Sequence, residues 1–178
     1  MRFAPHSTEP GSDWGNAERV SRSPHFRDYF ARRGGSWRAV EAGCPIPPEK
    51  HAYRYAEGKW TIKEVLMHII DTERVFAYRA LAAARGDVTP VYRMDEELYA
   101  RNVDVSNRTI GDLISEFKTV RNATEFLFKN MTDEQSKRSC NVVTHPMSAR
   151  AIGYFLIGHV LHHIGMVRVR YLSTRSPL

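Results

Sequence analysis

The stretch Trp60-Thr61-Ile62-Lys63-Glu64-Val65-Leu66-Met67-His68-Ile69-Ile70 decides the fold class. Thr61 followed three residues later by Glu64 has the form of a capping box. The hydroxyl can accept from the Glu64 amide while the carboxylate returns to the Thr61 amide, which satisfies two donors that a helix start leaves open. From there Ile62, Val65, Leu66, Ile69, Val75, Phe76 and Leu81 recur at helical spacing, and Gly86 supplies a left-handed stop. The pattern predicts one amphipathic helix to about Arg85, with a broad apolar face to be covered.

Two more such helices follow. Thr109-Ile110-Gly111-Asp112 repeats the capping form and opens a helix to about Asn130. Its stripe is Ile110, Leu113, Ile114, Phe117, Val120, Phe126 and Leu127, broadened by Phe128. Ser148 caps a last helix to about Leu172 through Ile152, Phe155, Leu156, Val160, Met166 and Val167. Shorter pieces fit at Met94–Arg101 and Thr132–Gln135, and nothing reads as a hairpin or a βαβ series. Three long amphipathic helices need a fourth to close a core, so the expected class is all-α, a four-helix bundle.

The missing helix falls where the sequence is least regular. No leucine precedes Leu66, while six of nine prolines and six of eleven glycines precede Lys59. Short helices fit around His25–Arg33 and Ser36–Ala42. The division expected is therefore an irregular segment with a shortened first helix over 1–52, and the bundle proper over 53–178.

Composition narrows the function classes. The chain has 178 residues, 42% hydrophobic and 26% charged, in the range of one ordinary globular domain. Cys44 and Cys140 are too few and too isolated for a disulfide framework or a cysteine zinc site. The start MRFAPHSTEP has no apolar stretch of a secretory signal, and no segment approaches the ~18 apolar residues of a membrane-spanning helix, the best run being Ala151–Ile157. A reduced, cytoplasmic protein without a membrane partner is expected. The net charge of +6 is spread, with nine basic against seven acidic residues before Lys59 and seventeen against thirteen from there on. No basic stripe forms, so no nucleic-acid partner is expected.

The chemistry lies in the histidines. His159 and His163 are four apart on the last helix and stack a turn apart on one face, so they can share a metal ion. His162, three from His159, could substitute. His68 sits among Leu66, Met67, Ile69 and Ile70, close to the buried side of the first long helix. A buried imidazole is costly unless its nitrogens find partners. Three of them from two facing helices solve that jointly by binding one divalent cation, and three protein ligands leave a position open for water or substrate. The sequence is not His-Glu-x-x-His, since Val160 takes the glutamate position.

Other polar residues rank behind these. Asp71, three residues after His68, can orient a ligand or water, or be an ordinary solvated carboxylate. Glu73 and Arg74 read as structural ion-pair residues, Tyr78 and Arg79 as candidates for a pocket mouth, and Trp60 as a core anchor. Cys140 has no adjacent base in sequence and is a weak candidate nucleophile.

The run Lys59 to Ile69 followed by Asp71-Thr72-Glu73-Arg74 resembles the first signature of the DinB/YfiT-like proteins. Gly158-His159 through His162-His163 resembles the second, and the similarity spans roughly Tyr53 to Leu172. The resemblance implies an up-down-down-up bundle, often a homodimer, with one divalent metal on His68, His159 and His163, zinc or nickel foremost. Relatives include thiol S-transferases and a thiol-dependent isomerase. By resemblance the partners are a low-molecular-weight thiol and an electrophilic small molecule, with metal-bound water or thiolate as the reactive species. Metal-dependent hydrolysis and a non-catalytic metal-binding stress-response role are the alternatives. The departure from the family is at Phe26–Pro48, where a long leucine-containing helix is normal; a deletion or reading-frame change upstream of Glu49 is one explanation.

Overall fold

A computed structural model describes residues 46–141 and 146–173. The short helices expected at His25–Arg33 and Ser36–Ala42, and with them the first helix of the bundle, lie outside the described residues.

Helix α1 runs Ile62–Arg85 and begins as expected. The Glu64 amide donates to Thr61 Oγ1 at 3.2 Å, and the Thr61 amide donates to Glu64 Oε2 at 2.6 Å. Gly86 ends it at φ +74°, a left-handed conformation that costs glycine little. A short helix α2, Glu96–Asn102, is capped by Asp95. Helix α3, Ile110–Lys129, carries the second capping box, on Thr109 and Asp112. After α4, Asp133–Lys137, comes the last long helix, α5, Ala149–Met166, capped by Ser148.

Three features differ from the sequence reading. The connection before α5 holds a short antiparallel pair, β1 Ser139–Asn141 and β2 Pro146–Ser148, with Cys140 opposite Met147. Three residues per strand are too few for an alternating pattern to show. The helical chain also does not stay α to Leu172, because Val167–Leu172 forms a wider π-type turn. The apolar spacing continues through it, so the change in winding left no mark. Against the expectation that no segment approaches a membrane span, the combined segment Ala149–Leu172 is long and apolar enough to cross a membrane, with a window of mean hydropathy 1.2, because the apolar residues continue past Gly158 and His159. Half of that window is buried within the protein.

The core has two apolar clusters. One holds Phe76, Ala80, Phe128, Met147, Ile152 and Leu156, and the other Ile62, Leu66, Leu113, Phe117, Val160 and Tyr171. Along α1 and α3 the chain passes from the second cluster to the first, and along α5 it returns. The described helices thus supply a down-down-up arrangement, three members of the four-helix bundle.

Side-chain facing departs from the expected stripes at Leu81 and Phe126, which are 38% and 66% exposed. In α3 the inward residues are Leu113, Phe117, Arg121, Thr124 and Phe128, all buried. That register places a charge and a hydroxyl inside and turns Phe126 out. In α1 the late inward positions go to Ala80, Ala83 and Ala84, whose small side chains let neighbours approach closely.

Candidate metal centre

Between the two apolar clusters the bundle has a polar layer, and the histidines meet beside it. His68 comes from α1, and His159 and His163 from successive turns of α5. Their side chains converge on one point. His159 Nε2 lies 3.1 Å from His68 Nε2 and 3.0 Å from His163 Nε2, and one nitrogen from each ring falls within 4.8 Å of the others. The rings pack edge to face, with centroids 4.5 to 5.0 Å apart.

This donor set fits a divalent cation. A zinc–nitrogen bond of ~2.0–2.1 Å in tetrahedral geometry puts neighbouring nitrogens about 3.3 Å apart, close to the two spacings that His159 makes, while His68 and His163 stand on either side of it within 4.8 Å. The His159 imidazole is held well below its ordinary pKa, first by burial, then by the imidazoles of His163, His68 and His162 and by the Arg121 charge. It therefore stands neutral at physiological pH, which is the ligating form.

Aromatic rings wall the cluster. The Trp60 indole lies 4.9 Å from the His68 ring, and Phe155 stacks on His159 at 5.4 Å while resting on Phe76 at 4.3 Å. Trp60, expected as a core anchor, is only half-buried, and its ring borders the centre. On another flank a cavity of about 20 Å³ is lined by His163 and the aliphatic side chains of Ile46, Ile62, Leu66, Ile69, Ile164 and Val167. Such walls keep the local dielectric low and strengthen any charge interaction inside.

The remaining candidates separate clearly. His162 is exposed, and its ring stands edge-on to His163 at 5.2 Å, outside the converging set. Asp71 lies 3.6 Å from Arg74, and burial raises its pKa against the pull of the Arg74 charge, with Glu116 adding to the rise. Arg74 and Arg108 share Glu116 at 2.6 and 2.5 Å. Tyr78 is exposed, whereas Arg79 is buried and donates to the Tyr92 carbonyl at 2.6 Å, an anchor for the connection after α1. Cys140 is buried, its thiol facing the Met147 carbonyl at 3.7 Å and its pKa pushed up by burial, the reverse of an activated nucleophile.

Glu73 is the ion-pair residue expected, but its partner went unread in the sequence. Arg121 Nη2 donates to Glu73 Oε2 at 2.8 Å, with both side chains out of solvent. The only signal for Arg121 was its place in the spacing 113, 117, 121, 124, 128.

The comparisons agree with this architecture. YfiT from Bacillus subtilis, described as a probable metal-dependent hydrolase with an unusual four-helix bundle topology, superposes with a TM-score of 0.63 at 17% identity, covering 93% of this chain and 87% of that one. A DinB-like protein from the same organism, YjoA, gives 0.53 at 22% identity over 86% and 96% of the two chains. At such identities both establish the fold. No curated protein matches the chain. The family model of the DinB superfamily matches residues 36–167, beginning earlier than Tyr53 and inside the irregular segment. With that match spanning most of its length, the chain belongs to the DinB superfamily.

Proposed function

We propose that His68, His159 and His163 hold one divalent cation, zinc or nickel foremost, and that the protein is a metal-dependent enzyme. The observation that carries the reading is the convergence of three Nε2 atoms, at 3.1 and 3.0 Å, from two helices that also share the apolar cluster of Ile62, Leu66 and Val160. When bound, the ion would act as a Lewis acid that lowers the pKa of a coordinated thiol or water and polarises a substrate oxygen. The chain supplies three imidazole donors, and a set of three protein ligands leaves a coordination position for water or substrate. Trp60 and Phe155 shield two flanks from water, and Asp71, one turn beyond His68 on the same helix and paired with Arg74, is the carboxylate to test as a proton acceptor.

Transfer of a low-molecular-weight thiol to an electrophilic small molecule is the first reaction to test, on the strength of the family likeness. Hydrolysis is the second, favoured by the description of YfiT. A non-catalytic metal-binding role would leave both assays silent. A cytoplasmic location and a homodimer belong to the same proposal, the first supported by the buried, unbridged Cys140.

The test is metal analysis of untagged protein after repletion with zinc, nickel and manganese. About one ion per chain is expected, and less than about 0.1 overturns the site. Loaded protein is then assayed for consumption of chlorodinitrobenzene with a small thiol, and separately for ester and amide hydrolysis. Activity that needs thiol and metal together selects transfer, and thiol-independent cleavage selects hydrolysis.

A further inference from the structure

The Glu73–Arg121 pair occupies the layer that divides the two apolar clusters, and its side chains are 1% and 0% exposed. Arg121 donates through Nη2 to Glu73 Oε2 at 2.8 Å and also reaches the Leu156 carbonyl at 3.4 Å. One α3 side chain therefore contacts both helices that carry the histidines. Glu73 is five residues beyond His68 on α1, and Leu156 is three residues before His159 on α5. Glu125, one turn along α3, places more negative charge near the same guanidinium.

Stability does not account for such a pair. Desolvating two charges is costly, and replacing a buried pair by apolar residues of similar volume is commonly neutral or stabilising. What an apolar layer lacks is a fixed axial register, since greasy ridges can slide where a charge-assisted hydrogen bond of set length cannot. We propose that Glu73 and Arg121 form a positioning device that locks α1 against α5 through α3, and so sets the convergence of His68 with His159 and His163. The proposal deepens the metal reading and, in its affinity arm, rests on it.

The test replaces both partners together, Glu73→Leu with Arg121→Met, and adds Glu125→Gln, since the Glu125 carboxylate near the guanidinium would otherwise lose its counter-charge. Helical circular dichroism and the urea midpoint should equal or exceed those of the parent protein. The crystal structure of the metal-free variant should show the His68–His159 nitrogen separation lengthened by roughly 1 Å. Cobalt(II) should bind about tenfold more weakly, with an altered visible spectrum. An unchanged imidazole separation together with cobalt affinity within roughly twofold of the parent overturns the proposal. If the parent itself takes up no cobalt, the metal reading fails, and the imidazole separation alone decides this inference. Should this variant not fold, Glu73→Met, which keeps the side chain's length and removes the acceptor of the Arg121 hydrogen bond, is measured by the same two readouts with the same deciding results.

Discussion

The Tyr171 hydroxyl donates to the Trp60 main-chain carbonyl at 2.8 Å, tying the π-type turn after α5 to the residue just before the α1 cap. Since the Trp60 indole borders His68, the end of the last helix helps hold a wall of the histidine cluster. Tyr171 is buried, with Tyr55 edge-on at 4.9 Å. Burial, then Tyr55 and the Glu64 charge, raise its pKa well above the ordinary phenol range, so it remains a donor throughout the useful pH range.

Removing that one donor leaves a carbonyl to be solvated without disturbing the ring packing. Tyr171→Phe should lower stability by about 1–1.5 kcal/mol, read as a shift of the urea midpoint at constant slope. Tyr171→Ala also empties the ring's place in the core and should cost about 3–5 kcal/mol. No loss in Tyr171→Phe would show that the hydroxyl contact contributes nothing, and equal losses for the two variants that the ring adds nothing beyond it.

His159 faces both other imidazoles, whereas His162 points to solvent. His159→Ala should abolish stoichiometric metal uptake, and His162→Ala should leave affinity within about threefold of the parent, both by competition with a chromophoric chelator. The reverse ranking would reassign the ligands.

The metal-free protein should be acid-sensitive in a defined direction. The folded-state pKa of His159 is depressed, so below the unfolded value of ~6.5 the unfolded chain binds a proton that the folded one refuses. Stability is indifferent to this group above that pH. It then falls as pH drops below ~6.5, by at most about 1.4 kcal/mol per pH unit for one proton, and levels off below the folded pKa. Thermal midpoints between pH 8 and 5 measure this, and His159→Gln should flatten the profile. A slope unchanged in that variant would assign the effect to other groups.

The two ends of α1 can be probed independently of the centre. Thr61→Ala removes the cap hydroxyl and should cost about 1 kcal/mol. Gly86→Ala meets no atom within 4 Å, so its cost is conformational, about 1 kcal/mol for forcing a side chain to φ +74°. A double variant should lose the sum, because the sites share no partners; a clear deviation would mean that the helix frays as a unit.

How much of this was legible depended on whether the signal was local. The starts of α1, α3 and α5 are written in three or four adjacent residues, at Thr61, Thr109 and Ser148, and each was found. The histidine cluster was legible because His159 and His163 share a turn and His68 has apolar neighbours on both sides. Arg121 and Phe126 were misleading for one reason: a charge in an inward register and a ring in an outward one both contradict the hydropathy pattern, and only packing against Glu73 settles the register. The β1–β2 pair was too short to alternate, and the turn at Val167–Leu172 kept its apolar spacing while its winding changed.

His159 and His163 lie on one helix and His68 on another, and this asymmetry reaches the denatured chain. A transient turn of α5 is enough to bring two imidazoles onto one ion, so an unfolded molecule is not blind to metal. Raising the free metal concentration would then stabilise the fold steeply at first and progressively less, as the bidentate remnant begins to fill. The level at which melting temperature stops climbing with metal would measure how much of the grip belongs to α5 alone and how much α1 adds by docking.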